Sequence, residues 1–187
     1  MNTTKIIFNH YKLFNDDPID GVSININEDN IKEWDLTIMG PPDTMYEGGF
    51  FRAKMTFPNN FPMHPPTLKF ISKIYHPNIY PDGKVCISIL HPPGEDKWGY
   101  EKAEERWRPV HTINSILLSV ISLFSSPNDE SPANIDAGKD WRENRELFRK
   151  KVNECIEKSL EFLDLMKMSI SLFMKNLLIK QKITSKL

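Results

Sequence analysis

The sequence predicts an α+β fold in which a short first helix and a group of strands precede a group of helices. Up to residue 71, short segments alternate apolar and polar side chains, as strands with one buried face do. After residue 112, apolar residues instead recur every three or four positions, the spacing of a buried helical face. Strands followed by helices along one chain are typical of an α+β domain.

The predicted sheet is a four-stranded antiparallel meander. Its strands are the segments at 22–27, 31–38, 50–57 and 67–71. Turn sequences rather than helices separate these segments, so consecutive strands are expected to pair with each other. The segment at 4–14 precedes the first strand and is interpreted as a helix, with its apolar residues roughly on one side: Ile6, Ile7, Tyr11 and Phe14.

The second half of the chain predicts helices separated by a turn-rich segment. Thr112 is a suitable N-cap for a helix that follows it directly. The apolar stripe of that helix is Ile116, Leu117, Val120 and Phe124. A longer helix is predicted to begin near Lys139. Its apolar residues at helical spacing are Trp141, Phe148, Val152, Cys155, Ile156 and Leu163.

Residues 163–187 differ in character from the rest of the chain. They are rich in apolar residues, carry five lysines and contain no acid after Asp164. This composition predicts an amphipathic helix whose apolar face docks on the domain, on a partner or on a membrane surface. A C-terminal membrane anchor is an alternative interpretation of the same segment.

Composition and charge limit the classes of function. The 187 residues are 40% hydrophobic and 26% charged, with a formal net charge of −1, which is typical of one soluble domain. No overall basic field is present, so nucleic acid is not expected as the main partner. Two cysteines make no disulfide framework, and neither a signal peptide nor a long apolar span is recognised. A cytoplasmic, reducing location is therefore expected.

Cys86 lies in an irregular segment, residues 72–111, that holds five prolines. Irregular segments of this length inside a domain are usually functional. One interpretation makes Cys86 a buried strand residue, because its neighbours are Val85 and Ile87. The other makes it a nucleophile. A cysteine protease would need His76 or His91 against the sulfur, and no local protease motif surrounds it.

A zinc site is not predicted. The four candidate ligands have no recognisable ligand spacing: His76, Cys86, His91 and Cys155. No metal and no cofactor are expected.

Several motifs occur along the chain in a defined order and spacing. A "HPN" turn precedes a cysteine by eight residues, from Asn78 to Cys86, within "FPNNFPMHPPTLKFISKIYHPNIYPDGKVCISIL". The other segments are "GPPDTMYEGGFF", "ERWRPVHTINSILLSVISLF" and "PNDESPAN". In order and spacing these motifs resemble those of the ubiquitin-conjugating (E2) enzymes. This resemblance covers roughly residues 4–162 and implies the UBC fold, with a catalytic domain at 1–162 and a C-terminal extension at 163–187.

Trp107 follows Cys86 by 21 residues along the chain, a spacing similar to that in one subgroup of the family. The intervening insertion, about 91–106, resembles the acidic loop of the G-type group, above all the member used in endoplasmic-reticulum-associated degradation. In that group the loop shapes the building of ubiquitin chains. The loop residues singled out here are His91, Glu95 and Asp96. The loop also holds lysines, so its acidic character is mild.

The resemblance implies a role for each residue around the cysteine. Cys86 would accept ubiquitin from an activating enzyme (E1) as a thioester and pass it to a lysine amine. Asn78 would stabilise the oxyanion or order the nearby loop. His76 and Pro77 would brace the turn. By this interpretation little beside Cys86 is built to make a resting thiolate.

The resemblance also implies groups for the acceptor lysine and for partner proteins. Ser131 would be the gate residue beside the thioester, with Asp129 contributing. The surface for a RING-type ligase (E3) would be an exposed patch of Pro62, Met63, Pro109 and Val110. The first helix would contribute Lys5 and Lys12, fewer basic residues than is usual in the family. Partners would be ubiquitin, E1 and E3, and ATP would be used by the E1.

Three rival functions stay open at this point. A non-catalytic E2-like binding module would not need Cys86. An E2 for another ubiquitin-like modifier would share the motifs, although the long insertion argues against it. A cysteine protease is the third. The favoured reading is an E2 that builds degradation-directed chains, with recruitment to the cytosolic face of the endoplasmic reticulum.

Overall fold

The chain forms one four-stranded sheet with helices before and after it. A computed structural model describes residues 2–27, 29–95 and 101–184, with side chains up to residue 165. Its elements in chain order are α1 (Thr3–Asp16), β1 (Val22–Asn27), β2 (Asn30–Met39), β3 (Phe50–Thr56), β4 (Thr67–Phe70), a short 3₁₀ turn (Ser88–Leu90), α2 (Ile113–Ser125), α3 (Ile135–Glu143) and α4 (Arg145–Thr184). The predicted α+β order is confirmed.

The sheet is the predicted antiparallel meander, with strand order β1-β2-β3-β4. One row of paired residues crosses all four strands and places apolar side chains on the same face: Ile24, Leu36, Ala53 and Phe70. Along β3, buried and half-buried residues alternate, as the two-residue period requires. This face of the sheet supplies one wall of the core.

Helix α2 supplies the opposite wall. Its buried residues are Ile113, Ile116, Leu117, Val120 and Phe124. The Phe124 ring stacks on Phe51 with centroids 6.1 Å apart, and it meets Phe70 edge-on at 6.3 Å. Because α2 is fixed in this core, its C-terminal end and the loop after it have a defined position beside residues 76–78.

The late helical region corrects one prediction. A single helix was expected from about Lys139, but α3 ends at Glu143 and α4 begins at Arg145. Asn144 has a non-helical conformation between them, with φ −147° and ψ 76°. Its backbone N–H caps α3, and its side-chain oxygen accepts the backbone N–H of Leu147 at 3.0 Å. Asparagine satisfies both helix ends, which allows a break without an inserted loop.

Helix α4 contacts the start of β3. The Ser159 hydroxyl accepts the backbone N–H of Phe50 at 3.0 Å, and the Arg52 guanidinium lies 3.5 Å from the centroid of the Phe162 ring. The helical backbone continues through the predicted extension to Thr184. Over the described residues, no helix has a stretch that is both long enough and apolar enough to cross a membrane.

Candidate active site

The "HPN" turn is held by a buried, neutral histidine. The His76 Nε2–H donates to the Leu123 carbonyl of α2 at 2.9 Å, and Nδ1 accepts the backbone N–H of Asn78 at 2.9 Å. Burial lowers the pKa of His76 from 6.5 to about 4. With both nitrogens bonded in this way, His76 links the turn to α2. Pro77 is buried as well, and its carbonyl accepts the backbone N–H of Asn134 at 2.9 Å.

Asn78 ties the turn to the loop after α2. Its side-chain Nδ2 donates to the Asn128 carbonyl at 2.7 Å, and its Oδ1 accepts the Asn128 backbone N–H at 2.8 Å. The side chain is 3% exposed. A carboxamide has two N–H donors, so one bond to Asn128 leaves a second donor. The geometry of Asn78 is thus compatible with both roles that the sequence left open.

Backbone contacts then place Cys86 next to this turn. Gly83 has a φ of +93°, and an added Cβ would lie 2.1 Å from the Phe70 carbonyl oxygen, so only glycine fits there. The Val85 N–H bonds the Leu68 carbonyl, and the Cys86 N–H bonds the Asn78 carbonyl, both at 2.9 Å. Cys86 is left half-buried with a free thiol, rather than being packed in the core.

The environment of the thiol corrects a second prediction. Little beside Cys86 was expected to favour a thiolate, yet the His91 Nε2 lies 3.6 Å from the Cys86 Sγ. The other ring nitrogen, Nδ1, lies 2.8 Å from both carboxylate oxygens of Glu101. The 3₁₀ turn between Cys86 and His91 reverses the chain and brings the imidazole back over the sulfur. No hydrophobic periodicity between Cys86 and His91 predicts that reversal.

These contacts shift the pKa values of the thiol and the imidazole in opposite directions. The hydrogen bond from His91 lowers the pKa of the Cys86 thiol, and a bond from the Tyr80 hydroxyl adds to this effect, against burial, which raises it. The bonds to Cys86 and Glu101 raise the pKa of His91 to about 9. Both changes favour a thiolate beside an imidazolium.

Glu101 is itself held by two further residues. The Ser88 hydroxyl donates to its Oε1 at 2.9 Å, and the Arg106 Nε donates to its Oε2 at 3.0 Å. Arg106 also bonds the carbonyls of Gly94 and Glu95, at 3.4 and 3.3 Å. The predicted insertion is therefore attached to the thiol through its own charged residues.

The predicted loop residues have different outcomes. His91 contacts the thiol, whereas the Glu95 side chain is exposed and only its carbonyl takes part in the Arg106 contact. Asp96 lies outside the described residues.

A cavity of about 600 Å³ opens beside the thiol. Its lining includes Cys86, Asn78, His91, Glu101 and Ser131. The predicted gate residue Ser131 therefore shares a cavity with the predicted nucleophile. Asp129 is not among the described residues that line this cavity; its carbonyl accepts a hydrogen bond from Arg142.

The predicted ligase surface is only partly exposed. Pro62 is buried rather than exposed. Its carbonyl accepts the Trp107 Nε1–H at 2.7 Å, and this bond joins the two loops. Pro109 is exposed, and the exposed fractions of Met63 and Val110 are 52% and 75%.

The basic residues of the first helix are both exposed. Lys5 lies in the first turn of α1, and the Lys12 ammonium lies over the Phe8 ring, 4.9 Å from its centroid. Among the described residues, no cluster of three or more His, Cys, Asp or Glu side chains could hold a metal ion.

The site can therefore present a nucleophilic thiol to an acyl group. It has a half-buried sulfur, a basic partner at 3.6 Å, an amide donor nearby and room for an acceptor. Tyr80 and Ser88 were not predicted as residues of the site. Neither belongs to the "HPN" motif, and the only available signal was their closeness to Cys86, six residues before it and two after it.

Comparison with known proteins identifies similar chains. A family model described as "Ubiquitin-conjugating enzyme" matches residues 7–156. "Ubiquitin-conjugating enzyme E2 13" of Arabidopsis thaliana is 63% identical over 145 residues, 77% of this chain and 87% of the relative. "Ubiquitin-conjugating enzyme E2 G2" of Homo sapiens is 49% identical over 157 residues, 83% of this chain and 95% of the relative. The solved structure of "human Ubiquitin-conjugating enzyme E2 G1" matches with a TM-score of 0.59 and 41% identity, covering 67% of this chain and 97% of that one.

Proposed function

Because this chain belongs to the ubiquitin-conjugating (E2) enzyme family, whose members transfer ubiquitin through a thioester, we propose that Cys86 is the residue that carries the thioester. The observation that supports this assignment is the half-buried free thiol that lines a cavity next to the "HPN" turn. The other cysteine, Cys155, is 1% exposed within the core.

The proposed reaction consists of two acyl transfers. Cys86 attacks the thioester between E1 and the ubiquitin carboxyl terminus, and a lysine amine then attacks the new thioester on Cys86. The transfer to lysine passes through a tetrahedral oxyanion, so a fixed hydrogen-bond donor beside the Cys86 thioester stabilises its transition state. We assign that donor to Asn78, whose position is fixed by its two bonds to Asn128. His76 and Pro77 act as braces for the turn.

The acceptor lysine must lose its proton before it attacks. We propose that Ser131 and the insertion at about 91–106 form the approach for this lysine, with Asp129 as a nearby acid. The insertion, including His91, Glu95 and Asp96, is proposed to act as the chain-building loop of the G-type group. The 49% identity to the human E2 G2 supports that assignment.

The partners proposed for this chain are ubiquitin, an E1 and a RING-type E3. Exposed Met63, Pro109 and Val110 suit a ligase contact, because an apolar patch at a loop pair is typical of a docking site. Exposed Lys5 and Lys12 suit an E1 or E3 contact on α1. No cofactor is assigned to this chain, since ATP is consumed by the E1.

The cellular role proposed is the building of degradation-directed ubiquitin chains in the cytoplasm, at the cytosolic face of the endoplasmic reticulum. The resemblance to the G-type group supports it. The catalytic domain is assigned to residues 1–162. The extension at 163–187 is proposed to be amphipathic and to contribute to recruitment, either through a partner or by contact with a membrane.

A thioester assay tests the central assignment. The enzyme is incubated with E1, ATP and ubiquitin and run on a non-reducing gel, where a band shift that disappears with reductant is expected. Cys86→Ser is expected to give a reductant-resistant ester in its place, and Cys155→Ser is expected to charge like the wild type. No thioester with an E1 that charges a known E2 would remove Cys86 from the catalytic role.

A discharge assay tests Asn78 in the same preparation. Asn78→Ala is expected to accept ubiquitin from E1 but to release it to free lysine about a hundredfold more slowly, the usual cost of losing one oxyanion donor. Asn128→Ala is the matched control, because Asn78 bonds only the backbone of Asn128. Equal discharge rates in the wild type and Asn78→Ala would leave Asn78 as a brace alone.

A further inference from the structure

We propose that His91 is the acid–base partner of Cys86 and that Glu101 is the positioning residue that holds its imidazole. The proposal rests on the assignment of Cys86 as the thioester residue. It adds a catalytic base to a site in which the "HPN" motif alone supplies none, since both nitrogens of His76 are already bonded to the backbone.

The geometry leaves the His91 imidazole one orientation. Its Nδ1 lies 2.8 Å from both oxygens of Glu101, so Nδ1–H is the donor there and Nε2 is directed to the sulfur at 3.6 Å. Glu101 is 18% exposed and is also bonded by Ser88 and Arg106. A carboxylate held on three sides fixes both the rotation and the tautomer of the ring, as the third member of a nucleophile–base–acid arrangement does.

In the charging step His91 acts first as a base and then as an acid. The thiol proton of Cys86 moves to His91 Nε2, which leaves a thiolate beside an imidazolium. The thiolate attacks the carbonyl carbon of the E1–ubiquitin thioester, and the carbon–sulfur bond to the E1 breaks. His91 returns the proton to the departing E1 thiolate. The products are the Cys86 thioester, the E1 thiol and a neutral His91.

The discharge step then uses the neutral imidazole. His91 Nε2 takes one proton from the lysine ammonium, and the resulting amine attacks the thioester carbon. The tetrahedral intermediate expels the Cys86 thiolate, and the lysine nitrogen releases a second proton to water. The thiolate and the His91 imidazolium form the resting pair again. The cavity of about 600 Å³ that both residues line gives the lysine side chain access.

Four other groups surround the pair and contribute to its titration. The Tyr80 hydroxyl bonds the thiol and stabilises the thiolate, whereas the negative charge of Glu101 opposes it. Arg106 pairs with Glu101, and Glu105 lines the same cavity. The net effect of these groups and His91 is that the Cys86 thiolate forms at a lower pH than the thiolate of a free cysteine does.

The first test measures the reactivity of the thiol without E1. Cys86 is alkylated with iodoacetamide from pH 5 to 10, with Cys86→Ser as the blank for buried Cys155. We expect His91→Gln to react roughly tenfold more slowly than the wild type at pH 6.5 and equally fast at pH 10, because only the thiolate reacts. Overlapping rate profiles would show that His91 merely packs on the sulfur and would overturn the proposal.

The second test isolates Glu101. The imidazole of His91 is titrated by NMR in the wild type, in Glu101→Gln and in Glu104→Gln, the last being an exposed glutamate of the same loop. In Glu101→Gln the imidazole should titrate at lower pH, and in Glu104→Gln it should be unchanged. If Glu101→Gln and Glu104→Gln titrate alike, Glu101 does not position the ring.

Charging assays separate this proposal from the function it rests on. At pH 6.5, His91→Gln is expected to form the thioester about tenfold more slowly while keeping the circular dichroism spectrum of the wild type. If the wild type forms a thioester and His91→Gln forms it equally fast, only the acid–base proposal fails. If neither the wild type nor His91→Gln forms a thioester, the assignment of Cys86 fails instead.

Discussion

At the scale of single residues, buried His76 makes the free energy of unfolding depend on pH. Its pKa is about 4 in the folded protein and 6.5 in the unfolded chain, so between these values the unfolded state binds more protons. Stability is therefore fully present above pH 6.5 and falls as the pH drops to 4. The difference between the two pKa values of His76 corresponds to a loss of about 3 kcal/mol in the free energy of unfolding over this pH range.

The measurement is urea unfolding of the wild type and His76→Gln between pH 4 and 7.5. His76→Gln is expected to be less stable at pH 7 but to lose about 3 kcal/mol less than the wild type on going to pH 4. Carboxylates with lowered pKa values, such as Asp140 and Glu101, contribute equally to both curves. Parallel curves would contradict the buried, neutral state of His76.

Not every residue of the site could be read from the sequence. The "HPN" turn and Cys86 were found because their spacing is a motif along the chain. The contact between Cys86 and His91 depends on a reversal in the 3₁₀ turn at Ser88–Leu90, and the alternation of "VCISIL" carries no sign of it. The burial of Pro62 was missed for the same kind of reason, since its partner Trp107 is 45 residues away.

At the scale of elements, the cap of α2 is the sharpest prediction. The Thr112 hydroxyl accepts the Ser115 N–H at 3.1 Å, and the Ser115 hydroxyl accepts the Thr112 N–H at 3.1 Å, forming a reciprocal capping box. Thr112→Ala should lower the free energy of unfolding by about 1 kcal/mol in urea titrations, and Thr112→Ser should retain most of it. A Thr112→Ala protein as stable as Thr112→Ser would show that the hydroxyl contributes nothing.

Periodicity found the elements but not every boundary. The α+β order and the meander are confirmed, because alternation and helical spacing report which face of an element is buried. The UBC fold, which the motifs resembling the E2 family implied, is confirmed as well. The break at Asn144 was missed since it inserts no extra residues, so the apolar spacing continues across it. Trp141 of α3 and Phe148 of α4 still meet, with ring centroids 5.1 Å apart. The spacing of buried residues along the chain cannot reveal a helix break that leaves those residues in the same core.

At the scale of the whole molecule, the candidate site is assembled from segments far apart in the chain. Leu123 at the end of α2 holds the turn that contains Asn78, and Asn128 holds the other side of that residue. Helix α2 is in turn fixed by its packing against the sheet. The position of the thiol is therefore a property of the folded core, and loss of core packing should reduce charging along with stability.

Helix α4 contacts the sheet as far along as Phe162. Ser159 accepts the Phe50 N–H, and the Phe162 ring lies against the Arg52 guanidinium, so the chain up to Phe162 contributes contacts to the sheet. A chain truncated after Asp164 should melt and charge like the full chain. A chain truncated after Lys158 should lose about 2 kcal/mol, from an unpaired backbone N–H and a lost cation–π contact, and melt several degrees lower. Differential scanning calorimetry of both truncations and of the full chain makes the comparison. Equal melting temperatures for the two truncated chains would place the end of the domain before Ser159.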